Sequence, residues 1–459
     1  MCTFNGIITE GPREQFNFHF LSCFNGYVVG LLASLIIILD NFSEKPWLGS
    51  DLVTVGLGSI FFESFGITGL EAFAAVACLV IYFASPNKEK KFWKKTGLFN
   101  LLVVATACFF GFSVALLVGI SNGGNPIVHF QQTRFLHLFP MYTLMGFVIF
   151  KNKEFVFAFM KFMAIATMLK AWQALYVVYS VLGADFEAEY LIDHTYSSFV
   201  VLAIVFCAFY LLNFRTSVVF KLFFWVSLPV LIQAYIWNDR RSATFGGIFA
   251  VIFLVGTSML QLLRYDSKKV LRPIMIILLY TGATWYLPPP IGMKSLLQSV
   301  GVGGPPKAEP TYREKETGNL IQSLVSAGVL GYGTGREFIE AYPLPASMVK
   351  SYPRYKSIPH NQLFSIWAYG GPLAMAGLGI MFVLAFYFSS KLFKRTDPFL
   401  KLIGIFGYFL FTQFLVLTFA DMGYQNLKIQ FFAGLFFGIM ARQCFQNPLI
   451  MPSLGILKR

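Results

Sequence analysis

Twelve stretches of this chain read as candidate bilayer-crossing helices, and that pattern leaves little else for it to become. A crossing helix needs about 20 mainly apolar residues, and lipid offers no partner to an exposed backbone amide. The stretches are residues 20–40, 67–85, 98–119, 135–150, 155–182, 191–212, 217–237, 242–263, 270–288, 362–390, 398–420 and 427–446. Residues 52–66 are also apolar but are interrupted by Gly56, Gly58 and Glu63, which suits an interfacial piece or part of a longer second span. Hydrophobic residues make up 56% of the chain and charged ones 13%, against roughly 25% charged in soluble domains. So few charges cannot clothe a globular surface. The expected fold class is all-α, a polytopic membrane protein with about twelve transmembrane helices.

The net charge of +14 would suit nucleic acid, but its layout does not. Lys and Arg fall in short clusters between the apolar stretches, without an RNP-like or basic-stripe pattern, so no nucleic-acid partner is expected. With the N-terminus in the cytoplasm, nineteen Lys and Arg lie in or at the helix ends bordering the cytoplasmic loops and the C-terminal tail, and five lie in or bordering the short loops opposite. That asymmetry predicts cytoplasmic N- and C-termini and an even number of spans. The first 19 residues are polar and no small-residue cleavage site follows, so 20–40 reads as a retained span rather than a signal peptide. The six cysteines form no CxxC pair and the five histidines share no i, i+4 spacing, so neither a disulfide framework nor a metal site is expected.

One connection is long. Residues 289–361 separate the ninth and tenth spans, are polar and rich in Pro and Gly, and fall outside the cytoplasm in this orientation. The chain divides accordingly into spans one to nine (1–288), this outer loop (289–361), and spans ten to twelve with a cytoplasmic tail (362–459). Within the loop, TYREKETGNLIQSLVSAG predicts a helix capped by Thr311, with Leu320, Ile321, Leu324 and Val325 on one face, lying along the membrane surface. GYGTGREF reads as a turn. It lacks the Lys-Ser/Thr of a phosphate-binding P-loop.

Charges at the outer ends of the spans are the candidates for chemistry. Arg240 and Arg241 open the eighth span in WNDRRSATFGG. Their plain reading is a solvated helix end paired with Asp239; their functional reading is an anion site. Guanidinium forks bind phosphate oxygens, a helix start adds N–H donors, and Ser242, Thr244, Gly246 and Gly247 keep that face small and polar. A lipid pyrophosphate suits such a site. His360 and Asn361 precede the tenth span, and Pro359 disfavours helix before them. His360 is either an imidazole satisfied by loop carbonyls or a general base able to take a proton from a hydroxyl near pH 7, with Asn361 placed to hold a sugar or phosphate oxygen. Arg313 and Arg336 flank the loop helix. Arg134 sits at the outer end of the fourth span with His137 one turn on; Lys170 lies within the fifth span and His194 opens the sixth.

RRSA at 240–243, YREKETGNLIQSL at 312–324, GYGTGREF at 331–338 and PHNQLFSIWAYGGPLA at 359–374, in that order, resemble the O-antigen ligase and O-antigen polymerase superfamily. The shared features are an Arg with a small residue at a span start, an Arg-led amphipathic segment, a GxGxG-like turn, and a His-Asn pair before a helix with a Gly-Gly bend. The resemblance implies a metal-independent glycosyltransferase of the bacterial inner membrane, working in lipopolysaccharide biosynthesis without a cofactor. It would move a glycan from undecaprenyl pyrophosphate to a hydroxyl of lipid A-core or of a second lipid-linked glycan, at the periplasmic face. Arg240 or Arg241, with Arg313, would hold the pyrophosphate, His360 would activate or position the acceptor hydroxyl, and Arg336 would be an extra phosphate contact or uninvolved. Ligase, polymerase and protein glycosyltransferase stay open within the family. A transporter or flippase of lipid-linked oligosaccharides is the alternative, which repeated halves and midplane helix breaks would favour.

Overall fold

In a computed structural model the described residues are 26–38, 69–84, 111–182, 191–192, 195–238, 241–262, 312–326, 330–345, 356–420, 423 and 426–446. They form α1 (Gly26–Ile38), α2 (Gly69–Ala84), α3 (Gly111–Ser121), α4 (Pro126–Ile149), α5 (Lys153–Val177), α6 (Tyr196–Asn213), α7 (Val218–Trp237), α8 (Arg241–Leu262), α9 (Tyr312–Ser326), α10 (Gln362–Phe393), α11 (Pro398–Ala420) and α12 (Leu427–Gln446). No β-strand occurs among the described residues. Five helices, including α6, α7, α10, α11 and the run from Lys153 to Ser180, are long and apolar enough to cross a membrane. The expected span at 270–288 and the segment 52–66 lie outside the described residues, as does Thr311.

Small residues set the closest helix crossings. On α12, Gly434 and Gly438 lie against α4, where a Cβ on Gly438 would come 2.1 Å from the Thr143 carbonyl and one on Gly146 would come 2.0 Å from that of Leu435. This spacing of four is the small-residue pattern that lets membrane helices touch backbone to backbone. Phe139, Phe147, Phe388, Phe437 and Phe445 pack around the crossing as edge-on and tilted ring pairs. The α1–α5 crossing uses Gly26 and Gly30 in the same way, against Phe155 and Phe162.

Helix directions follow from which residues meet. In α4–α12 and α1–α5 residue numbers rise together, so each pair is parallel. Antiparallel crossings join α10 to α11, where Gly404 and Gly407 meet Ser389, and α8 to α11, where Gly246 meets Gln413 and Thr257 bonds Tyr408. Lys153 and Asp397, at the starts of α5 and α11, join two of those ends at 2.8 Å.

Two helices depart from the expected pattern. The span expected at 135–150 is the second part of a longer helix, because Asn125 caps α4 at Ile127 N–H (2.8 Å) and Pro126 takes the first helical position. The added turns carry His129, Gln132 and Arg134. In α9 the face turned inward is Glu316, Asn319, Leu320 and Ser323, whereas Ile321 and Val325 are exposed. Of the four apolar residues expected on one face, only Leu320 is fully buried within the protein. The inward polar groups are held by fixed partners: Asn319 exchanges two hydrogen bonds with the Tyr342 backbone, and Ser323 accepts from Ile339 N–H.

Candidate functional site

The site is built around a break in α10. The sequence Gly370-Gly371-Pro372 interrupts the helix, with Gly371 at φ 65° and ψ −170°. Proline has no N–H, so the Ala368 carbonyl loses its in-helix donor, and the turn at Gly371 takes Tyr369 out of the ladder as well. The GYGTG turn supplies the replacements: Tyr332 N–H bonds Ala368 O at 2.7 Å and Gly333 N–H bonds Tyr369 O at 3.0 Å. The same turn reaches α3 through Thr334 N–H to Ala115 O (3.0 Å), and its Gly335 carbonyl accepts from Asn125 N–H (2.8 Å). This explains the glycines. Gly331, Gly333 and Gly335 all have φ between 83° and 92°, and a Cβ on Gly333 would lie 2.5 Å from Gly119 N.

Gln132 of α4 fastens this turn to the segment entering α10. Its Oε1 accepts from Gly335 N–H (2.6 Å), and its Nε2 donates to Ser357 O (2.7 Å) and Arg336 O (3.2 Å). One turn earlier His129 Nδ1 contacts the Thr334 hydroxyl. Its imidazole lies ahead of the apolar stretch 135–150, and burial pulls its pKa down to about 4. Gln132, Thr334, Ser357, Pro359, Gln362 and Tyr369 line a small cavity of about 30 Å³, with room for ordered water.

At the start of α10, Asn361 is the N-cap, its Oδ1 accepting from Phe364 N–H at 3.2 Å. That oxygen is committed to the backbone, so the group Asn361 can present to a sugar or phosphate is its Nδ2 amide. His360, directly before it, keeps a side chain 16% exposed. Its Nδ1 lies 3.2 Å from Oε2 of Glu316, and Asn361 N–H donates to Oε1 of the same carboxylate at 3.1 Å. Glu316 comes from α9 and is completely buried. Tyr312, one turn before it, sets its ring edge-on to the His360 imidazole with centroids 6.0 Å apart. Arg313 shares this end of α9. It donates to Ala420 O at the end of α11 (2.8 Å) and through Nε to the Tyr312 hydroxyl (3.1 Å).

Of the residues expected from sequence, His360, Asn361 and Arg313 therefore come together where α9, α10 and the end of α11 meet. Arg336 lies on the adjoining turn, its guanidinium 4.0 Å from the Tyr332 ring and bonded to the Tyr332 carbonyl at 3.3 Å. Arg134 lies on α4. Two residues past Gln132, it is turned about 200° around α4 from the face that holds the loop. Lys170 is buried, and its Nζ donates to Ile38 O at the end of α1 (3.2 Å), which gives it a backbone-capping role. Arg240 and His194 and the side chains of Arg241 and His137 lie outside the described residues.

The small residues after Arg241 have packing partners. Gln413 of α11 donates to Ala243 O (2.9 Å) and accepts from the Ser198 hydroxyl (3.1 Å), and a Cβ on Gly246 would sit 2.6 Å from its Oε1. Thr244 bonds the Tyr235 hydroxyl. Beside them Asn238, fully buried, joins Ile192 N–H to Ser197. A polar network inside the bundle thus fixes the start of α8, and Gly246 and Thr244 are small and polar for that reason.

Glu316, Tyr312, Gln132 and His129 were not singled out from sequence. The Asn125-Pro126 pair marks a helix start and would have placed His129 and Gln132 on an ordered turn. For Glu316 there was no such signal: it is one of several charges in YREKE, and its burial depends on α10. Among the described residues no three His, Cys, Asp or Glu side chains gather as a metal site. No protein-family model matches the chain, and no curated protein is significantly similar to it.

Proposed function

We propose that this chain is a membrane glycosyltransferase of the O-antigen ligase or polymerase kind. In this reading it moves a glycan from undecaprenyl pyrophosphate to an acceptor hydroxyl at the periplasmic face of the inner membrane. The observation that carries the reading is the convergence of His360, held by the buried carboxylate of Glu316, with Arg313 and the capped start of α10. A histidine set beside a carboxylate is an arrangement suited to taking a proton from a hydroxyl. The acceptor oxygen attacks the anomeric carbon, its proton passes to His360, and the carbon–oxygen bond to the pyrophosphate breaks with both electrons leaving on the phosphate. Pyrophosphate is a good leaving group, so cationic donors that meet its growing charge do more here than a general acid. Arg313 and Arg336, with Arg240 and Arg241 from the start of α8, are the proposed donors.

The test begins with lipopolysaccharide from a host lacking this gene. Loss of O-antigen from lipid A-core with build-up of lipid-linked polymer is the ligase outcome; a core bearing one repeat unit is the polymerase outcome. Restoring the gene as His360→Ala should leave the defect in place, with transfer down roughly 10²-fold or more. An unchanged ladder in the deletion, or full rescue by a correctly inserted His360→Ala, rules the reading out for that pathway.

A further inference from the structure

We infer that Glu316 fixes the tautomer of His360, holding the ring proton on Nδ1 and the lone pair on Nε2. This makes Glu316 the positioning residue of the proposed base, and it rests on the reading of His360 given above. The two residues are 44 apart in sequence and sit on different elements. A carboxylate with no exposed surface is costly unless donors surround it. Here one donor is the backbone N–H of Asn361, one of the first N–H groups of α10. In a capping box that amide would be met by a Glu or Gln at the third helical position of its own helix. The third position of α10 is Phe364, so Glu316 does this from α9. That structural duty occupies Oε1. Oε2 is turned to His360 Nδ1 instead, and an ionised carboxylate only accepts. The nitrogen facing it therefore carries the proton.

The amide variant Glu316→Gln makes a sharp test, because an amide has one acceptor end and one donor end. The Asn361 N–H can only donate, so the Gln oxygen must face it. The NH₂ group then points at Nδ1, which must become an acceptor, and the ring proton moves to Nε2. In serine-protease triads the same exchange costs about 10⁴ in rate through the wrong tautomer.

The measurement is ¹⁵N NMR of histidine-labelled full-length protein in detergent near pH 8, with the His360 signal assigned by its loss in His360→Gln. Wild type should show the Nδ1–H form and Glu316→Gln the Nε2–H form. Glu316→Asp, which keeps the charge, should retain Nδ1–H. Transfer from the host's purified undecaprenyl-pyrophosphate-linked glycan should fall roughly 10²-fold or more in Glu316→Gln, in turnover rather than in donor KM. An Nε2–H ring in wild type overturns the inference, and so does a ring unchanged by Glu316→Gln in protein whose thermal unfolding matches wild type. Inversion of the tautomer with undiminished transfer upholds the role of Glu316 and overturns the base role of His360.

Discussion

His129 shows how one half-buried ring couples the loop to pH. Its Nδ1 meets the Thr334 hydroxyl at the centre of the GYGTG turn, and its pKa is held at about 4 by desolvation against an ordinary value of 6.5. Between those values the unfolded chain binds a proton that the folded one refuses, so stability rises with pH across that window. The contribution is intact above 6.5 and is lost as pH falls towards 4. Unfolding in detergent at pH 5 should be easier than at pH 7.5 by about 1–2 kcal/mol from this residue. His129→Gln keeps a neutral polar side chain and should flatten that difference. Equal pH dependence in wild type and variant would remove His129 as its source. The neighbouring arginine is a contrasting case: Arg336 spends its planar face on Tyr332 and one N–H on the Tyr332 carbonyl, so part of its fork already serves the turn.

α10 carries the largest departure from regular helix in the described chain, and its cause is local. Gly371 and Pro372 free the carbonyls of Ala368 and Tyr369, and the GYGTG amides take them. Pro372→Ala returns an N–H that competes for Ala368 O, so the turn should dock less firmly while α10 itself survives. Amide hydrogen exchange at Tyr332 and Gly333 should speed up roughly 5- to 30-fold, the equivalent of about 1–2 kcal/mol. Unchanged exchange there would mean that the turn does not depend on the break. Much of this element was readable: GGP announces a break, GYGTG a tight turn, and His-Asn after Pro a helix start. That the first two complete each other was not, because the bonds join residues 36 apart by a match of donors to acceptors that neither stretch displays alone. The inward face of α9 was hidden in the sequence for a related reason. Its inward face is polar and satisfied by Tyr342, Ile339 and α10, so a hydrophobic stripe was the wrong guide to what it buries.

Across the whole molecule, alternation of spans and the skew of basic residues predict a sidedness that can be tested. Apolar length made the helices legible, since a bilayer demands it, and the Gly crossings show that α4–α12 and α1–α5 each run parallel. The same scheme puts the α3–α4 turn on the face of the His360 cluster, to which it is tied through Asn125 and Gly335, and the α10–α11 turn on the cytoplasmic face. Ser121 and Thr396 are exposed in those two turns. In a chain whose six native cysteines are replaced by Ala, Ser121→Cys should react with a membrane-impermeant maleimide applied to spheroplasts. Thr396→Cys should react only after the membrane is opened. Labelling of Thr396→Cys alone from outside would invert the molecule and put His360 at the cytoplasmic surface, where a lipid-linked glycan delivered to the periplasm could not meet it. Labelling of both from outside would break the alternation between α3 and α11, and with it the count of spans. The expected pattern would leave His360, Glu316 and Arg313 at the periplasmic surface, where the proposed base could meet the proposed lipid-tethered donor.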